Sequence, residues 1–394
     1  MKELSERICA IPLSAALKVD LKAKELRAQG KNIINFCVGE PPEAVPDFVC
    51  AASEKAAREG QMKYTNASGI TELKQAVAGM YKRRFGIDYG VSQIVITTGA
   101  KYAVYAAVCA LVDPGDEVIL PAPYWTSYYQ IIRLAGAVPI VADTKKENGY
   151  KMTPVGFRAA AGPRTKAVIL NNPNNPSGAF YSAAELEALA VEFRKADVYV
   201  IADEIYDRLV YSALPFTAAA ALGEDMKSRT VSVNGVSKAW AMTGARIGWL
   251  CADERIAAAA SALISHSTGS PNTIAQLAAI EAINNGDEYA LRLCESYKKR
   301  AEIISDGLSG IPGLYFAKPE GAFYITLCLE GSLLEKYKDG EGFALALLEE
   351  EGVAAVPCRE FGNKNAVRIS FSVPEAELAE GIGRIAHFAG KEVC

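Results

Sequence analysis

Thr230-Val-Ser-Val-Asn-Gly-Val-Ser-Lys238-Ala-Trp-Ala-Met-Thr-Gly-Ala-Arg246-Ile-Gly-Trp-Leu250 places one lysine between two short apolar runs of β character, with Gly235 before it and Gly244 after it. Lys238 is the only charge between Arg229 and Arg246. On a glycine-flanked turn at a strand end such a lysine is expected near the interior, where desolvation lowers its pKa and leaves a nucleophilic amine. An amine of that kind can form a Schiff base with a carbonyl compound. An ordinary surface lysine in a loop reads the same way, so the flanking sequence has to discriminate.

Upstream, short apolar runs alternate with helical stretches. Ile94-Val-Ile-Thr, Glu117-Val-Ile-Leu, Val138-Pro-Ile-Val, Lys166-Ala-Val-Ile-Leu and Val198-Tyr-Val-Ile-Ala are separated by helices, one of them opened by the capping-box pair Ser182 and Glu185. Continuous apolar strands between helices indicate a mostly parallel sheet covered on both faces, an α/β fold whose ligands bind at the carboxyl ends of the strands. From about Asp287 a long helix is expected. Residues 320 to 394 then read as a smaller α+β unit, with strands at Gly321 to Leu327, Val353 to Val356 and Ala366 to Phe371, a helix from Gly342 to Glu350 and a final helix from Glu375. Near the amino end a helix over Asp20 to Gln29 stops at Gly30, and a strand is expected over Ile33 to Val38.

The strand ends carry the candidate chemistry. Thr97-Thr-Gly99-Ala100-Lys101 follows a strand and opens a helix, so the amides of Ala100 and Lys101 would face an anion such as phosphate. It is neither the dinucleotide fingerprint nor a Walker loop, which counts against an NAD or ATP enzyme. Trp125, in Pro121-Ala-Pro-Tyr-Trp125, could lie flat on a heteroaromatic ring, although core packing explains a tryptophan equally well. Asn171-Asn-Pro-Asn-Asn175-Pro176-Ser-Gly178 is rich in turn formers. Asp203 ends a buried strand, where a carboxylate is costly unless paired. A protonated pyridine nitrogen would be such a partner. Arg368 sits inside an apolar strand, and its planar fork suits a carboxylate, whether of a ligand or of the protein.

Ser237-Lys238 followed by Arg246 resembles the lysine motif of class I aminotransferases, the fold-type I enzymes that use pyridoxal 5'-phosphate (PLP). The loop around Asn175, Asp203 with Tyr206 three residues on, and Arg368 in Val-Arg-Ile-Ser also resemble that family in order, over essentially the whole chain. The resemblance implies a large PLP-binding domain over 47–286, an N-terminal arm and part of the small domain over 1–46, and a small C-terminal domain over 287–394. It implies that Lys238 holds PLP and carries the proton. Gly99, Ala100, Lys101 and Arg246 would hold the phosphate, Trp125 would stack on the ring, and Asn175 and Tyr206 would hold the ring oxygen. Asp203 would hold the ring nitrogen. Gly39 and Arg368 would receive the substrate carboxylate, and Trp125 and Asn175 would also contact the substrate. Tyr64 resembles the family's interface tyrosine, which reaches the partner's phosphate in a homodimer, and the peptide before Pro123 is often cis in the family. Glu204 has no implied task.

Composition narrows the alternatives. Half of the 394 residues are apolar and the formal net charge is −4, with no basic tail or stripe, so no nucleic-acid partner is expected. The longest apolar runs fall short of a membrane span. Glu3, Glu6 and Pro12 argue against a signal peptide at Ile8 to Leu17, which favours a cytoplasmic protein. Nine scattered cysteines without a Cys-x-x-Cys pair fit reduced thiols, and two histidines, His266 and His387, argue against a metal site or a Ser-His-Asp triad.

The expected reaction moves an α-amino group between an amino acid and a 2-oxo acid such as 2-oxoglutarate by a ping-pong mechanism. Within the family the sequence resembles the bacterial branch of aspartate aminotransferases, where a lysine matching Lys101 helps bind the distal carboxylate. Ala16 departs from that branch, which often has a hydroxyl residue there. Alanine, aromatic or prephenate transamination and C–S β-lyase activity remain open on the same residues, as does a non-catalytic PLP-binding protein.

Overall fold

The computed structural model of the chain describes residues 3–13 and 15–391. Cys394, counted above among the thiols, lies outside them. Seven strands form the central sheet, in the spatial order Ile94–Thr97, Gly248–Cys251, Thr230–Gly235, Tyr199–Asp203, Thr165–Asn171, Glu117–Pro121, Val138–Ala142. All neighbours run parallel except Gly248–Cys251, which is antiparallel to the strands on both its sides. The expected mostly parallel sheet is therefore present.

Period-two alternation sorts the side chains of these strands. Ala167, Ile169 and Ile201 join one core with the helices Ala100–Leu111 and Glu254–Ser265, whereas Val168, Leu170, Val200 and Ala202 join another under Ala183–Lys195. Both faces are apolar because both are covered. Ser182 accepts from the Glu185 amide at 3.3 Å and donates its own amide to Glu185 at 2.8 Å, completing the expected capping box.

The smaller antiparallel sheet has the order Val356–Pro357, Ala366–Ser370, Tyr324–Leu329, Leu314–Tyr315. Its apolar face packs on Asp287–Leu308 and Glu375–Lys391. The N-terminal segment joins this half: Ile34–Asn35 pairs parallel with Val353–Ala354, and Arg27 meets Glu377.

Two expected strands are shorter than their apolar runs. Ile33 to Val38 yields only Ile34–Asn35, because the Asn35 side chain accepts from the Cys37 amide at 3.0 Å and turns the chain out of the ladder. Val353 to Val356 is split at Ala355, since its first half pairs with the N-terminal segment and its second with Ala366–Ser370. The helix expected over Asp20 to Gln29 starts earlier and spans Ala15–Ala28.

Candidate active site

The parallel strands ending at Asn171, Asp203 and Gly235 bring their carboxyl ends to one side, and a cleft of ≈ 280 Å³ opens there. Ten residues singled out in the sequence line it: Gly39, Ala100, Lys101, Trp125, Asn175, Asp203, Tyr206, Lys238, Arg246 and Arg368. Gly99 lies just behind, at φ 86°, where a Cβ would come within 2.3 Å of Nη2 of Arg246. The glycine thus lets the guanidinium pack against the start of the Ala100–Leu111 helix. Tyr64 is the exception. It is fully exposed and does not line the cleft of its own chain.

Lys238 sits on the single-turn helix Val236–Ala239, directly after the strand Thr230–Gly235. A Cβ at Gly235 would lie 2.8 Å from the Ile247 carbonyl, so the close approach of the two neighbouring strands requires glycine there. Nζ of Lys238 donates to the Gly39 carbonyl at 2.5 Å and lies 5.5 Å from the centre of the Phe323 ring. Burial brings its pKa down to about 8; Glu40 and Asp203 oppose that fall, while Arg246 and Arg368 deepen it. The amine therefore titrates close to neutrality, the property asked of a nucleophile and proton carrier.

Asp203 is buried at the end of its strand, on the face of Ile201. Oδ2 accepts from the Tyr128 hydroxyl at 2.6 Å and Oδ1 from the Ile205 amide at 3.2 Å. Burial still pushes its pKa up to about 6, with both hydrogen bonds and Lys238 pulling the other way. The Tyr206 hydroxyl donates to that of Tyr324 at 3.3 Å.

Arg368 is buried in the Ala366–Ser370 strand, with Nη1 donating to Oδ1 of Asn175 at 3.2 Å and Nη2 to the Cys37 carbonyl at 2.9 Å. Its Nε has no partner among the described residues, and its guanidinium lies 4.5 Å from the centre of the Tyr324 ring. A buried guanidinium bonded only to neutral acceptors invites a carboxylate. Accepting through Oδ1 leaves Asn175 its Nδ2 as a donor.

Two further cations, Arg246 and Lys101, meet at the start of the Ala100–Leu111 helix. Arg246, held left-handed at φ 53°, donates to the Thr243 carbonyl at 2.8 Å. Nζ of Lys101 lies 5.0 Å over the Trp125 ring, and burial followed by the Arg246 charge lowers its pKa. Tyr102 and Ala103 donate their amides to the Gly99 carbonyl, which leaves the amides of Ala100 and Lys101 to add their partial positive charge. Trp125 stands edge-on to Tyr128 at an interplanar angle of 87°. The donor set suits a phosphate beside Arg246, a basic ring nitrogen against Asp203 and a carboxylate against Arg368.

Tyr128, Tyr324 and Asn171 also line the cleft and were not singled out in the sequence. Tyr128 follows Trp125 by three positions at the start of a helix, a spacing that places both on one face and could have flagged it. The Asn171 side chain accepts from the Asn175 amide at 2.7 Å and so shapes its loop. Tyr324 lies in an apolar strand and gave no signal distinct from a core aromatic. The peptides before Pro123, Pro173 and Pro176 are cis. Among the described residues no group of acidic, histidine or cysteine side chains could hold a metal, and no helix is long and apolar enough to cross a membrane.

Comparison with known proteins adds lineage to this geometry. Residues 31–385 match the family model described as aminotransferase class I and II. The aspartate aminotransferase of Bacillus subtilis (strain 168) is 40% identical over 390 residues, covering 99% of each chain. The aspartate/prephenate aminotransferase of Cereibacter sphaeroides is 39% identical, covering 98% of this chain and 99% of that one. The crystal structure of the aspartate aminotransferase from Rhizobium meliloti superimposes with a TM-score of 0.94 at 36% identity, covering 99% of each chain.

Proposed function

Because the chain belongs to the class I and II aminotransferases, we propose that it transfers the α-amino group of aspartate, or of a related dicarboxylic amino acid, to a 2-oxo acid such as 2-oxoglutarate, with PLP held in the cleft. The carrying observation is that one cleft joins a near-neutral amine, a buried carboxyl at a strand end and a buried arginine without an acidic partner. PLP matches the donor set: Arg246 and the amides of Ala100 and Lys101 would hold its phosphate, Asp203 its ring nitrogen, and Asn175 and Tyr206 its ring oxygen. Trp125 would cover one face of the ring. When bound, PLP supplies an electron sink that stabilises negative charge at the substrate α-carbon.

The protein's own groups do the rest. Asp203 would keep the ring nitrogen protonated, and the hydroxyl of Tyr128 holds the Asp203 carboxylate in place for it. Arg368, with Asn175 and the Gly39 backbone, fixes the substrate α-carboxylate and so orients the Cα–H bond. Lys238 lies among these groups with a pKa of about 8, and takes and returns the proton there. Lys101 offers a cation to a distal carboxylate. Tyr64, exposed on its own chain, would serve the cleft of a second copy in a homodimer, and the setting is cytoplasmic.

The test is a panel of amino donors, aspartate, glutamate, alanine and phenylalanine, against 2-oxoglutarate with PLP-loaded protein. Aspartate is expected to exceed alanine and phenylalanine in kcat/KM by at least about tenfold, the worth of ~1.4 kcal/mol from one charge-assisted contact. Equal values would remove Lys101 from its role. Ala16 lines the cleft in place of a hydroxyl residue, which favours broader acceptance; a high rate with prephenate would carry that second reading. Pyruvate and ammonia released from a cysteine-type substrate without any 2-oxo acid would instead identify a β-lyase.

A further inference from the structure

Gly39 lines the cleft, and residues 40–46 continue from it as an irregular strap that is tied along its length. Gly39 gives its carbonyl to Lys238. Glu40 gives its backbone carbonyl to the Ser372 hydroxyl at 2.7 Å and its Oε2 to the Thr243 hydroxyl at 2.8 Å. Glu43 is gripped by Nη2 of Arg300 at 2.7 Å and by the Tyr297 hydroxyl at 3.3 Å, and the Ala44 carbonyl accepts from Tyr289 at 2.8 Å. Tyr289, Tyr297 and Arg300 all belong to the long helix Asp287–Leu308, whereas Thr243 belongs to the loop that carries Arg246.

The anchoring is firm for an electrostatic reason. Arg300 is buried, and its Nε and Nη1 have no partner among the described residues, so Glu43 supplies the charge that compensates it. Releasing that pair would leave an uncompensated charge inside the protein. With Glu43 fixed, the position of Glu40 next to Gly39 follows.

We propose that Glu40 is a positioning residue for the amine of Lys238: Thr243 clamps its carboxylate, its backbone keeps the Gly39 carbonyl on Nζ, and its charge favours the protonated amine. The charged groups facing Lys238 are Glu40, Arg246, Arg368 and Asp203. Burial and the two arginines drive the proton off, and of the two carboxylates Glu40 acts on it more strongly than Asp203. Asp203 is already bonded to Tyr128 and the Ile205 amide, and in the proposed complex it faces the ring nitrogen. Glu40 is then the carboxylate left to Lys238. This rests on Lys238 being the reactive amine and is independent of which donor the enzyme prefers.

The full-length chain, stripped of cofactor, can be methylated with formaldehyde and cyanoborohydride from neutral to alkaline pH, with Lys238 followed by peptide mass spectrometry. The pH of half-maximal rate reports the proton on the amine. Glu40→Gln keeps an acceptor for Thr243 while removing the charge. It is expected to lower that midpoint by about half a pH unit, roughly a threefold faster reaction below it, and the difference should shrink in high salt because Glu40 is exposed. Thr243→Val frees the carboxylate and should shift the midpoint the same way by less. An unchanged or raised midpoint in Glu40→Gln overturns the proposal. The PLP-loaded variant supplies a second reading: the pH dependence of its visible absorbance must move in the same direction, and opposite movement also overturns it. A parent chain that fails to take up PLP would sink the proposed function, while the labelling result would stand separately.

Discussion

Replacing Glu204 with glutamine should stabilise the protein at alkaline pH and leave it unchanged in mild acid. Glu204 is buried, with Oε1 accepting from the Ala219 amide at 2.9 Å and Oε2 without a partner among the described residues. Burial, then Asp207 and Asp203, lift its pKa from 4.5 to about 8, against the Ala219 amide and Arg84. The folded value lies above the unfolded one. Between them the unfolded chain has released its proton while the native chain still holds it, so stability is full below about 4.5 and is lost as pH rises to about 8. At ~1.4 kcal/mol per pH unit the rise has a ceiling near ~5 kcal/mol, and relaxation around the group makes ~2–3 kcal/mol the working figure. Glutamine never ionises, keeps an acceptor for Ala219 and preserves shape. Urea melts of parent and variant, both without cofactor, would measure the difference. Expected are nearly coincident curves near about pH 4 and a gain of ~2–3 kcal/mol near about pH 9. An equal difference at both pH values, or a variant less stable in alkali, would show that the native protein holds Glu204 ionised and would refute the reasoning.

Four further outcomes follow from the cleft. Lys238→Ala should retain the circular dichroism and melting profile of the parent while losing turnover; measurable parent-like turnover would remove Lys238 from its role. Asp203 is lifted to about 6, so it is ionised above that pH and neutral below it. PLP affinity of the stripped protein should therefore weaken as pH falls through about 6, and Asp203→Asn should bind weakly with a flat profile, both read by fluorescence titration. Arg368→Lys keeps the charge but loses the fork and the contact with Asn175, so KM should rise about tenfold to a hundredfold for every amino donor, from ~1.5–3 kcal/mol of charge-assisted bonding; a change confined to kcat would contradict the assignment. If Tyr64 serves a second copy, mixing inactive Tyr64→Ala and Lys238→Ala chains should restore activity through hybrid dimers, and failure to complement would leave Tyr64 a surface residue.

Legibility in the sequence followed how local each signal is. The strand Thr165–Asn171 could be read because its apolar run is buried on both faces, and the start of Ala183–Lys195 because a capping box is a four-residue pattern. The partners of strand ends could not be read this way. Ile33 to Val38 carries the apolar content of a full strand, yet its length is set by a two-residue partner more than 300 residues away in sequence and by the Asn35 side chain. Tyr128 and Tyr324 have the surroundings of core aromatics in the sequence; only the fold brings one hydroxyl to Asp203 and the other to Tyr206. Lys238 was visible as an isolated charge, but the groups that set its proton come from four separate stretches of chain.

Asp203 and Glu204 show why position in a strand matters more than residue type here. They are adjacent acids, both buried, yet only one ends with donors on both oxygens. Asp203 falls on the face of Ile201, where Tyr128 and the Ile205 amide await it and the cleft lies open. Glu204, one residue on, turns toward Ala219 and finds a single donor. The donors hold Asp203 at about 6, while Glu204 rises to about 8. Near neutrality one acid is therefore ionised and the other is not. Two ionised carboxylates side by side would each raise the other's pKa, so the neutral state of Glu204 leaves the charge of Asp203 undivided. That charge is the one a protonated ring nitrogen needs. The fold thus accepts the stability lost at Glu204 in alkali together with an ionised Asp203 at the floor of the cleft.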